Sequence, residues 1–137
     1  MRSPKLYLRD TGILHALLDI ADFDQLLANP QVGESWEAFI IEQLITNLPR
    51  WSPSFVRTGN GAEIDLLLER RGKRWVFEIK LSKAPKPSRG FYQLVDDLNP
   101  ERAAVVAPVD EPFEISAGIW VMDPASAIAS FSQQGRG

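Results

Sequence analysis

The stretch that decides the fold runs from residue 62 to residue 81 and reads AEIDLLLERRGKRWVFEIKL. Apolar residues recur at every second position on both sides of the turn sequence Arg71-Gly72-Lys73. A period of two is typical of β-strands, and a short glycine-containing turn between two such runs indicates a hairpin. We therefore predict two adjacent antiparallel strands, Ala62–Glu69 and Arg74–Leu81.

The second of these strands carries two charged residues on one face. The large apolar side chains at odd positions from Trp75 to Leu81 face the same way, so we expect a helix to cover them. Glu78 and Lys80 then emerge together on the opposite face, about 6.6 Å apart along the strand.

The first strand adds a second carboxylate near Glu78. Ile64, Leu66 and Leu68 are predicted to share one face, which leaves Asp65 on the other. If the hairpin pairs through its turn, Asp65 neighbours Glu78 across the strands, where like charges are destabilising unless something neutralises them. A divalent metal ion or Lys80 would do so.

A third acidic residue stands out in the longest predicted helix, Ser35–Leu48, which lacks Gly and Pro and is closed by Pro49. At about 100° per residue, Glu37 falls in the middle of the apolar arc of that helix. A carboxylate there must be paired, protonated or metal-bound, or it costs several kcal/mol. Alternatively, Glu37 lies in the first turn, where an acid favours the helix dipole and reaches solvent. The pattern leaves both interpretations open.

The rest of the sequence predicts a mixed α/β domain. An extended segment is expected at Ser54–Thr58 and a helix at Arg89–Leu98. Further short strands are expected at residues 102–107, 113–115 and 119–122, and a last helix from Pro124 to about Phe131. We predict one mixed central sheet flanked by helices, with an N-terminal helical extension at residues 1–30 and the main domain at residues 31–137.

Composition narrows the possible chemistry. The 137 residues contain no cysteine and one histidine, which excludes disulfides, Cys-ligated metals and sites that need two histidines. No GxxxxGK[ST] motif occurs, so we expect no ATP site of the P-loop type. The sequence also lacks a signal-peptide core and any apolar run of the roughly 18–20 residues that cross a bilayer, so we expect a cytoplasmic protein without a membrane partner.

Charge is distributed unevenly along the chain. The formal net charge is −3, yet the segment Arg70–Arg89 holds eight basic residues and a single acid, Glu78. Such a segment is either a solvated turn and loop or a local cradle for a polyanion backbone. Lys83, Lys86 and Arg89 follow the second strand and are candidates for phosphate binding.

The arrangement of these residues resembles the core of the PD-(D/E)XK nucleases. The resemblance is carried by Asp65, by Glu78-Ile79-Lys80 on the next strand, and by the preceding helix with Glu37. It implies a restriction-endonuclease-like αβββαβ core. It also implies that Asp65 and Glu78 ligate Mg²⁺ or Mn²⁺, that Lys80 is the catalytic lysine, and that Glu37 is an auxiliary ligand. Ile64 departs from the pattern, since it stands where the motif's name has proline.

A narrower resemblance covers nearly the whole chain. The chain looks like a domain of unknown function that forms the C-terminal part of prokaryotic AAA+ ATPases. Four segments carry this likeness: Pro4–Gly12, Gly33-x-x-Trp36-Glu37-x-Phe39, Arg57-Thr58 and Gly61–Asp65. The likeness implies that the chain is a piece of a longer protein and acts beside an ATPase module.

Two functions therefore follow as hypotheses. The first is a metal-dependent phosphodiesterase that acts on DNA. The second is a catalytically inactive module that retains the nuclease fold for interaction with protein or nucleic acid. Fold alone does not decide between them.

Overall fold

The computed structural model of the protein describes residues 30–59 and 61–135. Within that part, three helices and six strands follow one another along the chain. They are α1 (Pro30–Asn47), β1 (Ser52–Arg57), β2 (Glu63–Arg70), β3 (Lys73–Ile79), α2 (Arg89–Leu98), β4 (Arg102–Val106), β5 (Phe113–Ser116), β6 (Ile119–Met122) and α3 (Pro124–Gly135). The predicted helical extension lies outside the described residues, apart from Pro30, which begins α1.

The six strands form one mixed sheet in the order β1-β2-β3-β4-β6-β5. Strands β1, β2 and β3 are antiparallel neighbours, as the hairpin pattern predicts. Strand β4 pairs in parallel with both β3 and β6, and β5 closes the far edge antiparallel to β6. The chain passes from β3 to its parallel neighbour β4 through α2, because parallel strands need a crossover connection.

Apolar side chains cover both faces of the sheet. On one face, α1 and α3 pack on Trp75, Phe77 and neighbouring residues of the first core cluster. On the other face, α2 contributes Phe91 and Leu94 to a second cluster that includes Val76. The predicted alternation of β3 is therefore confirmed, with a helix over the face of Trp75 and Phe77.

The ends of α2 follow from local chemistry. Ser88 precedes the helix, and its side chain accepts a hydrogen bond from the backbone N–H of Phe91 at 3.1 Å. Asn99 ends the helix in the left-handed conformation, with its N–H donating to the carbonyl of Val95. Ser is favoured at the first position and Asn tolerates the second, so the predicted bounds of α2 are confirmed.

Strand β2 differs from its predicted pattern. Ser54 pairs with Leu67 while Val56 pairs with Ile64, so β2 has one more residue than β1 between these pairs. This bulge turns Ile64 to the side of the second core cluster, where it packs with Leu67, whereas Leu66 belongs to the first. The prediction that Ile64 shares a face with Leu66 and Leu68 is therefore wrong.

Within the described ranges, no helix combines the length and apolar character that crossing a bilayer requires.

Candidate functional site

The candidate site lies where β2 and β3 separate. Their last registered pair is Leu66 with Phe77, so Asp65 on β2 and Glu78 on β3 lie just beyond the ladder. Strand β3 remains paired with β4 past this point, and the N–H of Lys80 still donates to the carbonyl of Val106 at 2.9 Å. The end of β3 is therefore held on the β4 side and open on the β2 side.

Asp65 bonds to β3 just beyond the last backbone pair of β2 and β3. Its Oδ2 accepts a hydrogen bond from the backbone N–H of Ile79 at 2.8 Å. The bulge in β2 falls at this position, and a bulge redirects side chains while it interrupts pairing. The carboxylate thus replaces a backbone carbonyl of β2 and lies against the segment Glu78-Ile79-Lys80.

Glu78 is a buried carboxylate with one lysine partner. The residue is 7% exposed, and its Oε2 lies 3.0 Å from Nζ of the half-exposed Lys80. Its Oε1 is buried without a hydrogen-bond partner among the residues that the structure describes. Burial raises the pKa of Glu78, the hydrogen bond and charge of Lys80 oppose the rise, and the charge of Asp65 adds to it.

Glu37, on α1, lies close to Asp65 and within the electrostatic influence of Lys80. Burial, the charge of Asp65 and a hydrogen bond between the two carboxyl groups raise the pKa of Glu37 to about 7, although Lys80 opposes the rise. A protonated Glu37 donates this hydrogen bond, and the Asp65 carboxylate accepts it. Of the two interpretations that the helix pattern left open, the structure favours a Glu37 that is partly buried and paired with Asp65.

Glu63 belongs to the electrostatic surroundings of the site, although it is not among the predicted site residues. It is exposed and lies 3.5 Å from the guanidinium of Arg57, yet its charge raises the pKa of both Glu37 and Glu78. Its position two residues before Asp65 on a strand is the available signal, because such residues point the same way.

The group formed by Glu37, Asp65, Glu78 and Lys80 is called the carboxylate cluster below. Its oxygen donors are of the type that Mg²⁺ prefers, and the unpartnered Oε1 of Glu78 is an oxygen that a cation would satisfy. Within the described part of the chain, however, no three acidic side chains are arranged to hold a metal ion. The donor types fit a divalent cation, and the hydrogen bond between Glu37 and Asp65 would have to open to admit one.

The three predicted phosphate-binding residues follow the cluster along the chain. Lys83 and Lys86 are exposed in the loop after β3, and Arg89 is exposed at the start of α2. The start of α2 packs closely on the residue before β2, since a Cβ added at Gly90 would lie 2.8 Å from Cβ of Ala62. The structure thus places these cations on the segment that leaves the carboxylate cluster.

The basic segment Arg70–Arg89 forms two groups rather than one patch. Arg70, Arg71, Lys73 and Arg74 lie at the β2–β3 turn, whereas Lys80 and the three loop cations follow the other end of β3. Five strand residues lie between Arg74 and Lys80, so the two groups are about 20 Å apart along β3. The basic residues of this segment therefore do not form one continuous surface for a polyanion.

Comparisons with known proteins identify the family. Residues 32–126 match the model of a domain of unknown function, DUF4143. Two relatives, uncharacterized protein Mb2031c of Mycobacterium bovis and uncharacterized protein Rv2008c of Mycobacterium tuberculosis, are each 42% identical over 127 residues. The match covers 93% of this chain and 29% of each relative, so the chain spans less than a third of their length.

A solved structure, that of protein VC1899 from Vibrio cholerae, aligns with 79% of this chain and 36% of its own. The TM-score is 0.46 and the identity 15%, and a likeness of this size supports no conclusion about fold or function. The family match, in contrast, covers more than half of the chain. The chain is a member of the DUF4143 family.

Proposed function

We propose that this domain is a nuclease-like module with a restriction-endonuclease-like core, and that it hydrolyses phosphodiester bonds of DNA with the help of Mg²⁺ or Mn²⁺. One observation carries the proposal. A buried carboxylate, Glu78, has an oxygen without a hydrogen-bond partner among the described residues, and it lies beside the ammonium group of Lys80 and close enough to Asp65 for that charge to raise its pKa. Buried charges normally have partners, so this arrangement indicates a site that a ligand completes.

Each residue of the carboxylate cluster receives a role in this proposal. Asp65 and Glu78 would hold the ion, and Glu37 would be an auxiliary ligand once it has lost its proton. A bound Mg²⁺ would neutralise charge on the phosphate and lower the pKa of a coordinated water.

Lys80 lies beside these carboxylates with its ammonium group half-exposed. In the proposal it hydrogen-bonds the attacking water or a phosphate oxygen, which places a positive charge where negative charge develops. Its present partner, Oε2 of Glu78, holds the ammonium group in that position at 3.0 Å.

DNA would approach from the side of the exposed loop. Lys83, Lys86 and Arg89 supply positive charge next to the carboxylate cluster, and phosphate contacts of this kind position a nucleic acid without reading its sequence. In the proposal the domain works in the cytoplasm beside an ATPase module. The additional length of the mycobacterial relatives is sufficient for such a module.

A second candidate function is an inactive module that keeps this fold for interaction with protein or nucleic acid. The hydrogen bonds within the cluster favour it, because Asp65 is already bound to both Ile79 and Glu37. It is further favoured by the fact that no three acids in the described ranges are arranged around a common point.

Nicking of supercoiled plasmid DNA tests the two candidates against each other. The first predicts nicking that requires Mg²⁺ or Mn²⁺ and is lost in Lys80→Ala and Glu78→Gln while circular dichroism shows a retained fold. Glu69→Gln is the matched control, since Glu69 is an exposed acid near the far end of β2. Activity that persists in Lys80→Ala would refute the assignment, and absence of metal-dependent nicking in the wild type would favour the inactive module.

A further inference from the structure

A cavity lies at the opposite end of β3 from the carboxylate cluster. It has a volume of about 460 Å³ and opens beside the turn between β2 and β3. The indoles of Trp51 and Trp75 line it, stacked on each other with ring centroids 3.7 Å apart. Since β3 spans about 20 Å between its ends, a ligand in this cavity would not touch the carboxylate cluster.

The lining of this cavity is strongly basic. Four cations contribute to it, namely Arg70, Arg71, Lys73 and Arg102, against one carboxylate, Glu101. The single acid is occupied, because its Oε1 accepts a hydrogen bond from Nε1 of Trp75 at 2.8 Å and its Oε2 lies 3.5 Å from Nζ of Lys73. The cavity therefore has a formal excess of three positive charges.

Arg102 is a cation fixed in place within this lining. Its guanidinium lies 3.6 Å from the ring centroid of Phe131 and donates a 2.7 Å hydrogen bond to Oγ of Ser130. It has no carboxylate within ion-pair distance among the described residues, and burial lowers its pKa. A guanidinium has five N–H donors, so donors remain for an anion. A partly desolvated and pre-oriented arginine binds carboxylates and phosphates more strongly than a solvated one.

The backbone of Arg71 has a positive φ angle. The turn Arg71-Gly72 has φ angles of +53° and +81°, the combination of a two-residue type I′ turn. Asn, Asp and Gly are the residues that this turn favours at its first position, and an arginine there is strained. The turn thus places a cation at the rim of the cavity at a cost in stability, and strain of this kind is typical of functional sites.

We infer that this cavity is a phosphate-binding site, distinct from the carboxylate cluster, in which Arg71, Lys73 and Arg102 contact the phosphate oxygens. The phosphate belongs either to a small phosphorylated molecule or to the backbone of a single-stranded nucleic acid. The indoles form the floor of the site and are themselves buried, so the site recognises the anion rather than a base. The inference holds whether or not the carboxylate cluster is catalytic.

Titration of the ¹⁵N-labelled 137-residue chain with sodium pyrophosphate tests the inference. The indole N–H signals of Trp51 and Trp75 should shift on binding, because both rings line the cavity. The indole N–H of Trp75 also donates to Glu101, which pairs with Lys73, so an anion that binds Lys73 should change this hydrogen bond. The indole signal of Trp120, on β6 beside the far edge strand β5, should not move. An absence of shifts at Trp51 and Trp75 up to about 10 mM would overturn the inference, since even a Kd of about 1 mM would be detected.

Variants outside the core show which residues bind. The double variant Arg71→Gly with Lys73→Gln should weaken pyrophosphate binding at least about tenfold, because each charge-assisted hydrogen bond contributes about 1.5–3 kcal/mol. Arg57→Gln is the matched control, since Arg57 is an exposed cation on β1 away from the cavity. Equal affinity in the double variant and the wild type would overturn the inference, as would shifts confined to Lys83–Arg89.

Competition with a short single-stranded DNA oligonucleotide distinguishes the two sources of phosphate. Displacement of pyrophosphate at lower concentrations of the oligonucleotide would assign the site to a nucleic-acid backbone. Failure of the oligonucleotide to displace bound pyrophosphate would assign it to a small phosphorylated molecule.

Discussion

The carboxylate of Asp65 and the backbone N–H of Ile79 form a 2.8 Å hydrogen bond at the position where β2 and β3 stop pairing. This bond continues the sheet through a side chain instead of a backbone carbonyl. Because the same carboxylate also accepts a hydrogen bond from Glu37, the end of the sheet and the acidic site depend on one residue.

Two substitutions of Asp65 measure what its hydrogen bond to Ile79 contributes to stability. Asp65→Asn keeps an oxygen that accepts from Ile79, whereas Asp65→Ala leaves that N–H without its partner. We expect Asp65→Ala to lower the free energy of unfolding by about 1–3 kcal/mol relative to Asp65→Asn, as measured by urea denaturation. Equal stability of the two variants would show that the hydrogen bond contributes nothing.

Stability should decrease as the pH rises from about 4.5 to about 7 in metal-free buffer. The pKa of Glu37 is raised to about 7 in the folded state, so the folded protein binds more protons than the unfolded chain in this window. Glu78, whose pKa is also raised, acts in the same direction.

Glu37→Gln should reduce this loss of stability, because an amide does not ionise. We expect the fall in Tm between pH 4.5 and 7 to be smaller in the variant by roughly 2–5 °C, measured by calorimetry with a chelator present. Glu42→Gln, on the exposed side of the same helix, is the control. Identical pH profiles for the wild type and Glu37→Gln would contradict the assignment of the shifted pKa to Glu37.

Lys80→Ala should destabilise the protein more at pH 8 than at pH 5. Lys80 lowers the pKa of the buried Glu78, so its removal raises that pKa further and makes ionisation more costly. The predicted loss is about 1–3 kcal/mol at pH 8, measured by urea denaturation. Lys86→Ala, which removes an exposed cation, should change stability little at either pH, and a loss for Lys80→Ala that does not depend on pH would argue against this pairing.

Binding of Mn²⁺ to the proposed site should strengthen with pH. A metal ion bound by Glu37 must displace the proton of that carboxyl group, whose pKa is raised to about 7, so titration calorimetry should find tighter binding at pH 8 than at pH 6, with proton release. Asp65→Asn should abolish the binding, and a chelator should reverse it in the wild type. Binding that is the same at both pH values would exclude Glu37 as a ligand.

Gly90→Ala should loosen the contact between α2 and β2. An added Cβ would lie 2.8 Å from Cβ and 3.0 Å from Cα of Ala62, which is closer than packed atoms approach. We expect a loss of about 1–3 kcal/mol in unfolding free energy. Gly59→Ala, where a Cβ meets nothing within 4 Å, should be neutral or slightly stabilising, and equal effects of the two substitutions would contradict the described packing.

Much of the fold could be predicted from local patterns. The period of two in β3 correctly assigned Trp75 and Phe77 to a helix-covered face and placed Glu78 beside Lys80. The bounds of α2 were also predicted correctly, as Arg89–Leu98. Such predictions succeed because they depend on residues that are neighbours in the chain, where strand alternation and helix capping are decided.

The environment of the acidic side chains depended on contacts between distant segments. The helix pattern could not decide whether Glu37 reaches solvent or a partner, because its partner Asp65 comes from another element. The face of Ile64 was mispredicted because the bulge arises from pairing of β2 with β1, not from the sequence of β2 alone.

Local patterns predicted the six strands, helix α2 and the residue types of the carboxylate cluster, although they placed the start of α1 at Ser35 instead of Pro30. Only the tertiary structure decided that Asp65 completes the end of the sheet, that one basic segment forms two separate groups, and that Arg102 joins Arg71 and Lys73 around a cavity. The physical reason is that periodicity fixes the direction of a side chain relative to its own strand, whereas burial, pairing and charge clustering depend on which elements the folded chain brings together.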